Sequence, residues 1–160
     1  MRLSEIIPPA AITVGVKVAG KREALRFAAE RLGARSGLDP ARINVALTAR
    51  EALGSTGIGA GVALPHVCVP ELARPYACLF TLSDPIDFNS IDGRGVDLIC
   101  AIITPKSSDC GEDKPLSYLA GVARIFRDKE KAATLRKAKN SWAVYDIVMK
   151  STENADHLVS

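Results

Sequence analysis

Apolar residues recur every three to four positions across 21–36, where Leu25, Ala28, Ala29 and Leu32 form one stripe among Lys, Arg and Glu. That spacing predicts an amphipathic helix from Lys21 to Ser36, ended by Gly37. Asp39 and Pro40 suit an N-cap and a first helical position, so a second helix is expected next, with Ile43, Ala46, Leu47 and Leu53 on its core stripe. Upstream, a short segment Leu3 to Ile7 is stopped by Pro8-Pro9, and Ala11 to Val18 reads as a β-strand. From Gly54 the texture changes to short strands. Val62 to Leu64 leads into Pro65-His66, Tyr76 to Leu82 follows, and Val96 to Ile103 is apolar except at Asp97, as a strand buried on both faces requires.

The connection Pro85 to Gly95 is dense in turn residues, with Asp92-Gly93 as a tight-turn pair. Three helices are then expected. Pro115 to Arg127 carries Leu116, Leu119, Ala123 and Phe126 on one stripe, Asp128 caps a helix through Ala138, and Ser141 caps a last helix with Val144, Ile147 and Val148. Residues 151–160 have little to bury and are expected to form a flexible tail, with His157 outside any site. The succession predicts an α/β fold, a mixed parallel and antiparallel sheet covered by helices, in a single domain over residues 1–150.

Composition narrows the function more than the fold. With 48% hydrophobic and 24% charged residues in 160, the chain can bury a real core. A net charge of +3 and 5% aromatic residues argue against a nucleic-acid surface. The longest apolar run, Leu98 to Ile103, is far shorter than a membrane span, and MRLSEIIPPAA has no apolar signal core, so a cytoplasmic protein without membrane insertion is expected. Cys68, Cys78, Cys100 and Cys110 fall in no C-x-x-C spacing, which predicts neither metal site nor disulfide framework. Cys68, alternating with Val67 and Val69, is expected to pack. No cofactor is expected.

The segment Arg50 to His66, REALGSTGIGAGVALPH, concentrates the candidate chemistry. Arg50 lies seven residues after Ile43, on the stripe that should face the core, where a guanidinium calls for an anionic partner. A histidine that accepts a phosphoryl group would provide one. The plainer alternative is that Arg50 snorkels out at its helix end and His66 bonds a nearby carbonyl. Ser55 and Thr56 can donate to phosphoryl oxygens or serve as turn residues, and Gly57, Gly59 and Gly61 can expose amides to an anion.

Three blocks in order, REALGSTGIGAGVALPH, PIDFNSIDGRGVDLICAIITP and LAGVARIFRD, resemble the enzyme IIA domains of the bacterial phosphoenolpyruvate-dependent phosphotransferase system. The likeness covers residues 3–150 and is to the fructose/mannitol class, with LGSTGIG favouring the nitrogen-regulatory branch over a sugar-transport subunit. It implies that a histidine phosphocarrier protein, HPr or its nitrogen-branch counterpart NPr, phosphorylates His66, that Arg50 neutralises the transferring group, and that phosphorylation state alters binding to downstream regulatory proteins. It also exposes a departure. Where the family usually has a second histidine this chain has Pro115, preceded by Lys114, which is expected to supply the missing positive charge from a helix N-terminus. The alternative is a phosphate-independent binding regulator with weakened transfer. Leu64, Val67, Val69 and Leu72 are candidates for an apolar docking rim around His66.

Overall fold

The computed structural model describes the backbone at residues 3–105 and 114–159, and side chains at 3–105 and 118–151. Among the described residues, six α-helices and six strands follow in the order α1 (Leu3–Ile6), β1 (Ile12–Val16), α2 (Lys21–Ser36), α3 (Pro40–Ala52), β2 (Gly57–Gly59), β3 (Val62–Ala63), β4 (His66–Cys68), β5 (Tyr76–Ile86), β6 (Val96–Thr104), α4 (Lys114–Arg127), α5 (Lys129–Lys137) and α6 (Ser141–Val159). The strands form one sheet in the order β1-β5-β6-β3-β2, with β4 also paired to β6. Pairing is parallel for β1 with β5 and for β3 and β4 with β6, and antiparallel for β5 with β6 and β2 with β3. The sheet is mixed and helix-covered, as the element pattern predicts.

The hydrophobic run of β6 explains the two-layered core. Leu98, Cys100 and Ile102 point to one face, packed by α1 and α4 to α6 through Ile6, Phe126, Leu135 and Val144. Val96, Ile99, Ala101 and Ile103 point to the other, packed by α2 and α3 through Leu25, Leu32, Ile43 and Leu47. A strand between two helical layers has no polar face to show. On the second face the rings of Phe27 and Phe80 meet edge to face at 4.8 Å.

Several boundaries differ from expectation for local reasons. A 3-10 turn, Pro9–Ala11, occupies the start of the expected first strand, because two prolines fix φ there. Gly37 does end α2, in the left-handed region at φ 81, and Asp39 caps α3 by accepting from the Ala41 amide at 3.0 Å. At the last helix it is Asn140 whose Oδ1 accepts from Ala143 N at 2.9 Å; the Ser141 hydroxyl instead donates to Ile12 O. That helix continues through Val159, with Ser151 buried and its Oγ donating to Ile147 O at 2.7 Å. No described helix is long and apolar enough to cross a membrane.

Candidate functional site

His66 opens β4, and its position follows from a break in a single strand line. Ala63 pairs Ile99 and His66 pairs Ile102, so β3 and β4 keep one register along β6. Pro65 between them has no N–H to donate, while its carbonyl still accepts from Ile102 N at 2.9 Å. The register puts His66 on the face of Ile102, the side covered by α4 to α6. The imidazole is half-buried, with Nδ1 2.7 Å from the Leu64 carbonyl oxygen. A carbonyl only accepts, so Nδ1 carries the proton and Nε2 holds the lone pair. No described residue hydrogen-bonds Nε2.

Arg50 lies in the last turn of α3, the helix that packs against β4. Its Nη1 donates to the Gly54 carbonyl at 3.0 Å, so the guanidinium closes its own helix end and shares no hydrogen bond with His66. Arg50 is half-buried, and Leu53 beyond it is 86% exposed, so neither belongs to a core stripe. The buried positions are Ile43, Leu47 and Glu51, at a spacing of four.

Glu51 is the residue that sequence reading missed. Its side chain is 5% exposed, and it pairs with Lys21 Nζ at 2.7 Å, accepts from Thr56 N at 3.0 Å and accepts from Thr56 Oγ1 at 2.5 Å. Lys21 also donates to Phe88 O and Asn89 Oδ1 and sits 4.9 Å from the centre of the Phe88 ring. Ser55 Oγ donates to the same Phe88 carbonyl at 2.5 Å and accepts from Gly57 N at 3.1 Å. The hydroxyl protons of Ser55 and Thr56 are therefore engaged within the protein, and these residues bind the loop after α3 to α2 and to the Phe88 segment. The available signal was the four-residue spacing from Ile43 through Leu47, which leads to 51.

The glycine loop is held in the same way. Gly59 and Gly61 take positive φ, 92 and 82, and the amide between them, of Ala60, donates to Asp92 Oδ2 at 2.9 Å. The anion at this turn is the protein's own carboxylate. Hydrogen bonds from the Ala60 and Arg94 amides hold Asp92 below the usual carboxylate range. Arg136 bonds Asp97 at 2.9 Å and the Ala60 carbonyl at 2.9 Å, tying this turn to α5.

Of the expected docking rim, Leu64, Val69 and Leu72 are core residues and Val67 alone is half-buried. Short strands beside a two-faced sheet bury alternate positions whichever way they point. Among the described residues the large exposed apolar side chains are Val45, Leu53, Ile91 and Trp142. Cys68 is exposed, with Sγ 3.3 Å from the Pro105 carbonyl, against the expectation that it packs. Cys78 and Cys100 are buried, and burial pushes both thiols up, Cys78 to about 12. Lys114 begins α4, on the face that carries His66, but its side chain lies outside those described, as does all of Cys110. Among the described residues no cluster of His, Cys, Asp and Glu could hold a metal ion.

The strand that carries His66 is broken by a proline and packed by the arginine-bearing helix α3, in a mixed sheet between two helical layers. The family model for "Phosphoenolpyruvate-dependent sugar phosphotransferase system, EIIA 2" matches residues 5–151, and the chain belongs to that enzyme IIA family. Within it the similarity is to nitrogen regulatory proteins. The nitrogen regulatory protein of Bradyrhizobium diazoefficiens is 34% identical over 148 residues, 92% of this chain and 95% of that one. The crystal structure of nitrogen regulatory protein IIA-Ntr from Neisseria meningitidis superposes with a TM-score of 0.86 at 29% identity, covering 91% of this chain and 98% of that one. The IIA mannitol structure from Escherichia coli shares the fold, with a TM-score of 0.71 at 21% identity over 87% of this chain and 96% of that one.

Proposed function

We propose that this nitrogen-regulatory type protein accepts a phosphoryl group on His66 Nε2 from a histidine phosphocarrier, HPr or NPr, and that the adduct switches its binding to regulatory partners. The observation that carries the reading is the Nδ1 to Leu64 carbonyl bond, which leaves the Nε2 lone pair as the nucleophile. In the transfer, Nε2 forms the new P–N bond while the P–N bond of the carrier's phosphohistidine breaks, its electron pair returning to the carrier's ring. Nδ1–H stays on the Leu64 carbonyl throughout. Little covalent work is left to the protein, so positioning and charge dominate.

Arg50 is the group we assign to the charge of the transferring phosphoryl. Its bond to the Gly54 carbonyl uses one of five N–H donors and fixes the fork at the end of α3. Ser55 and Thr56 act by holding the loop between Arg50 and His66. Lys114, at the start of α4, is proposed to add positive charge in place of the second family histidine. The adduct brings a compact charge of about −1.5 to −2, enough to make or break a docking contact without refolding.

The test is intact-mass detection of an acid-labile phosphoryl adduct after mixing the protein with phosphoenolpyruvate, enzyme I and the phosphocarrier. An adduct on the wild type and none on His66→Ala is expected. Absence of the adduct with demonstrably active partners leaves the phosphate-independent binding regulator as the function.

A further inference from the structure

One corner of this chain carries a marked surplus of positive charge. Residues 124–139 hold seven Lys or Arg against Asp128 and Glu130, a surplus of five, whereas the whole chain has only +3, so the remainder is net negative. Two of the nearby carboxylates, Asp128 and Asp97, are already engaged. Asp128 caps α5 by accepting from Glu130 N and Lys131 N, and Asp97 holds Arg136. Among the described residues, Arg127, Lys129, Lys131, Lys137 and Lys139 make no ion pair.

Trp142, 66% exposed at the start of α6, sits three residues past Lys139 with its ring edge-on to Tyr145 at 6.1 Å. Burying the ring would be favourable, and nothing in the fold buries it. We propose that the corner formed by the end of α4, α5 and the start of α6 is a docking surface for an acidic segment of a partner protein, with Trp142 at its centre and Arg127, Lys131, Lys137 and Lys139 around it.

The chemistry selects the occupant. Trp and Arg are enriched among the residues that dominate protein interfaces, and an aromatic centre with a charged rim is how such interfaces are built. A bilayer surface demands more apolar area than one ring, and Trp142 is the one large exposed apolar side chain among the described residues of this corner. Single-stranded nucleic acid is held by successive stacking rings. The surplus of positive charge steers an acidic partner in and selects against a basic one.

The chain has one tryptophan, so its emission reports on this surface alone. The probe is a synthetic peptide of Asp and Glu around a central Leu, titrated at about 0.15 M salt, where contacts beyond a Debye length are screened. The expected result is a blue shift of Trp142 emission, absent with the Asn/Gln counterpart peptide. Binding should weaken at least about tenfold in Lys131→Glu/Lys137→Glu/Lys139→Glu, and measurably in the milder Lys137→Gln/Lys139→Gln, while Arg22→Glu/Arg26→Glu on α2 binds as wild type. The triple variant should still be phosphorylated at His66, which separates this surface from the phosphoryl site. No shift with the acidic peptide, equal weakening by the α2 variant, or tighter binding to phosphatidylglycerol vesicles or oligonucleotide overturns the proposal.

Discussion

A single hydrogen bond decides which ring nitrogen of His66 carries the proton. The Leu64 carbonyl holds the proton on Nδ1 and turns Nε2 into the base. In the proposed relay Arg50 meets the charge of the transferring group; Arg50→Ala is expected to slow phosphoryl transfer by about 2–4 kcal/mol, roughly 30- to 1,000-fold, read as the single-turnover rate from phosphocarrier. Glu51 is the structural residue of the neighbourhood. Glu51→Ala strands Lys21 and unties Thr56, and should cost about 2–4 kcal/mol in urea unfolding, whereas Glu51→Gln keeps the bonds from Thr56 and should cost less. Equal losses for the two variants would show that the ion pair carries the whole effect. Cysteine reactivity follows burial. In a Cys110→Ser background only Cys68 should alkylate at pH 8, since the Cys78 thiol titrates near 12 and Cys100 is also raised; a second labelled site would contradict the buried placement.

Elements were legible where one force set them. α2 ends at Gly37 and α3 begins at Asp39-Pro40 as the sequence predicts, because capping is local chemistry. The end of α3 was not legible. A stripe drawn through apolar residues passed to Arg50 and Leu53, whereas the helix buries Glu51, a carboxylate whose partners come from α2 and from the following loop. Such a partner 30 residues away leaves no periodic trace. His66 and Arg50 stood out as residue types in a setting, yet the hydroxyls of Ser55 and Thr56 were spoken for by groups that only the fold brings near. The turn at Ala60 gives a pH test at this scale. Amide donors lower Asp92, so its contribution is complete above the unfolded carboxylate pKa of about 3.9 and disappears as pH falls through the lower folded value. Amide exchange at Ala60 should accelerate in that acid window, and Asp92→Asn should show the faster exchange already at neutral pH.

At the scale of the whole molecule, a sheet with helices on both sides puts β6 at the centre of two cores. Phe80 on β5, fully buried among Ala28, Leu32 and Ile99, belongs to the α2 and α3 side. Phe80→Ala should cost about 3–5 kcal/mol of stability by chemical denaturation, with His66 phosphorylation intact under conditions where the variant is folded. The mixed order of strands was predicted only as a class; which strand neighbours which depended on β3 and β4 sharing β6, and runs of two and three residues are too short to announce themselves. That shared register has a consequence for how the protein can change over generations. The atom that accepts the hydrogen bond from His66 Nδ1 is main chain, supplied by the path of the strand and by no side chain. Exchange of surrounding side chains cannot remove it. Rates and partners are open to revision one substitution at a time, while the orientation of the imidazole lasts as long as the sheet does.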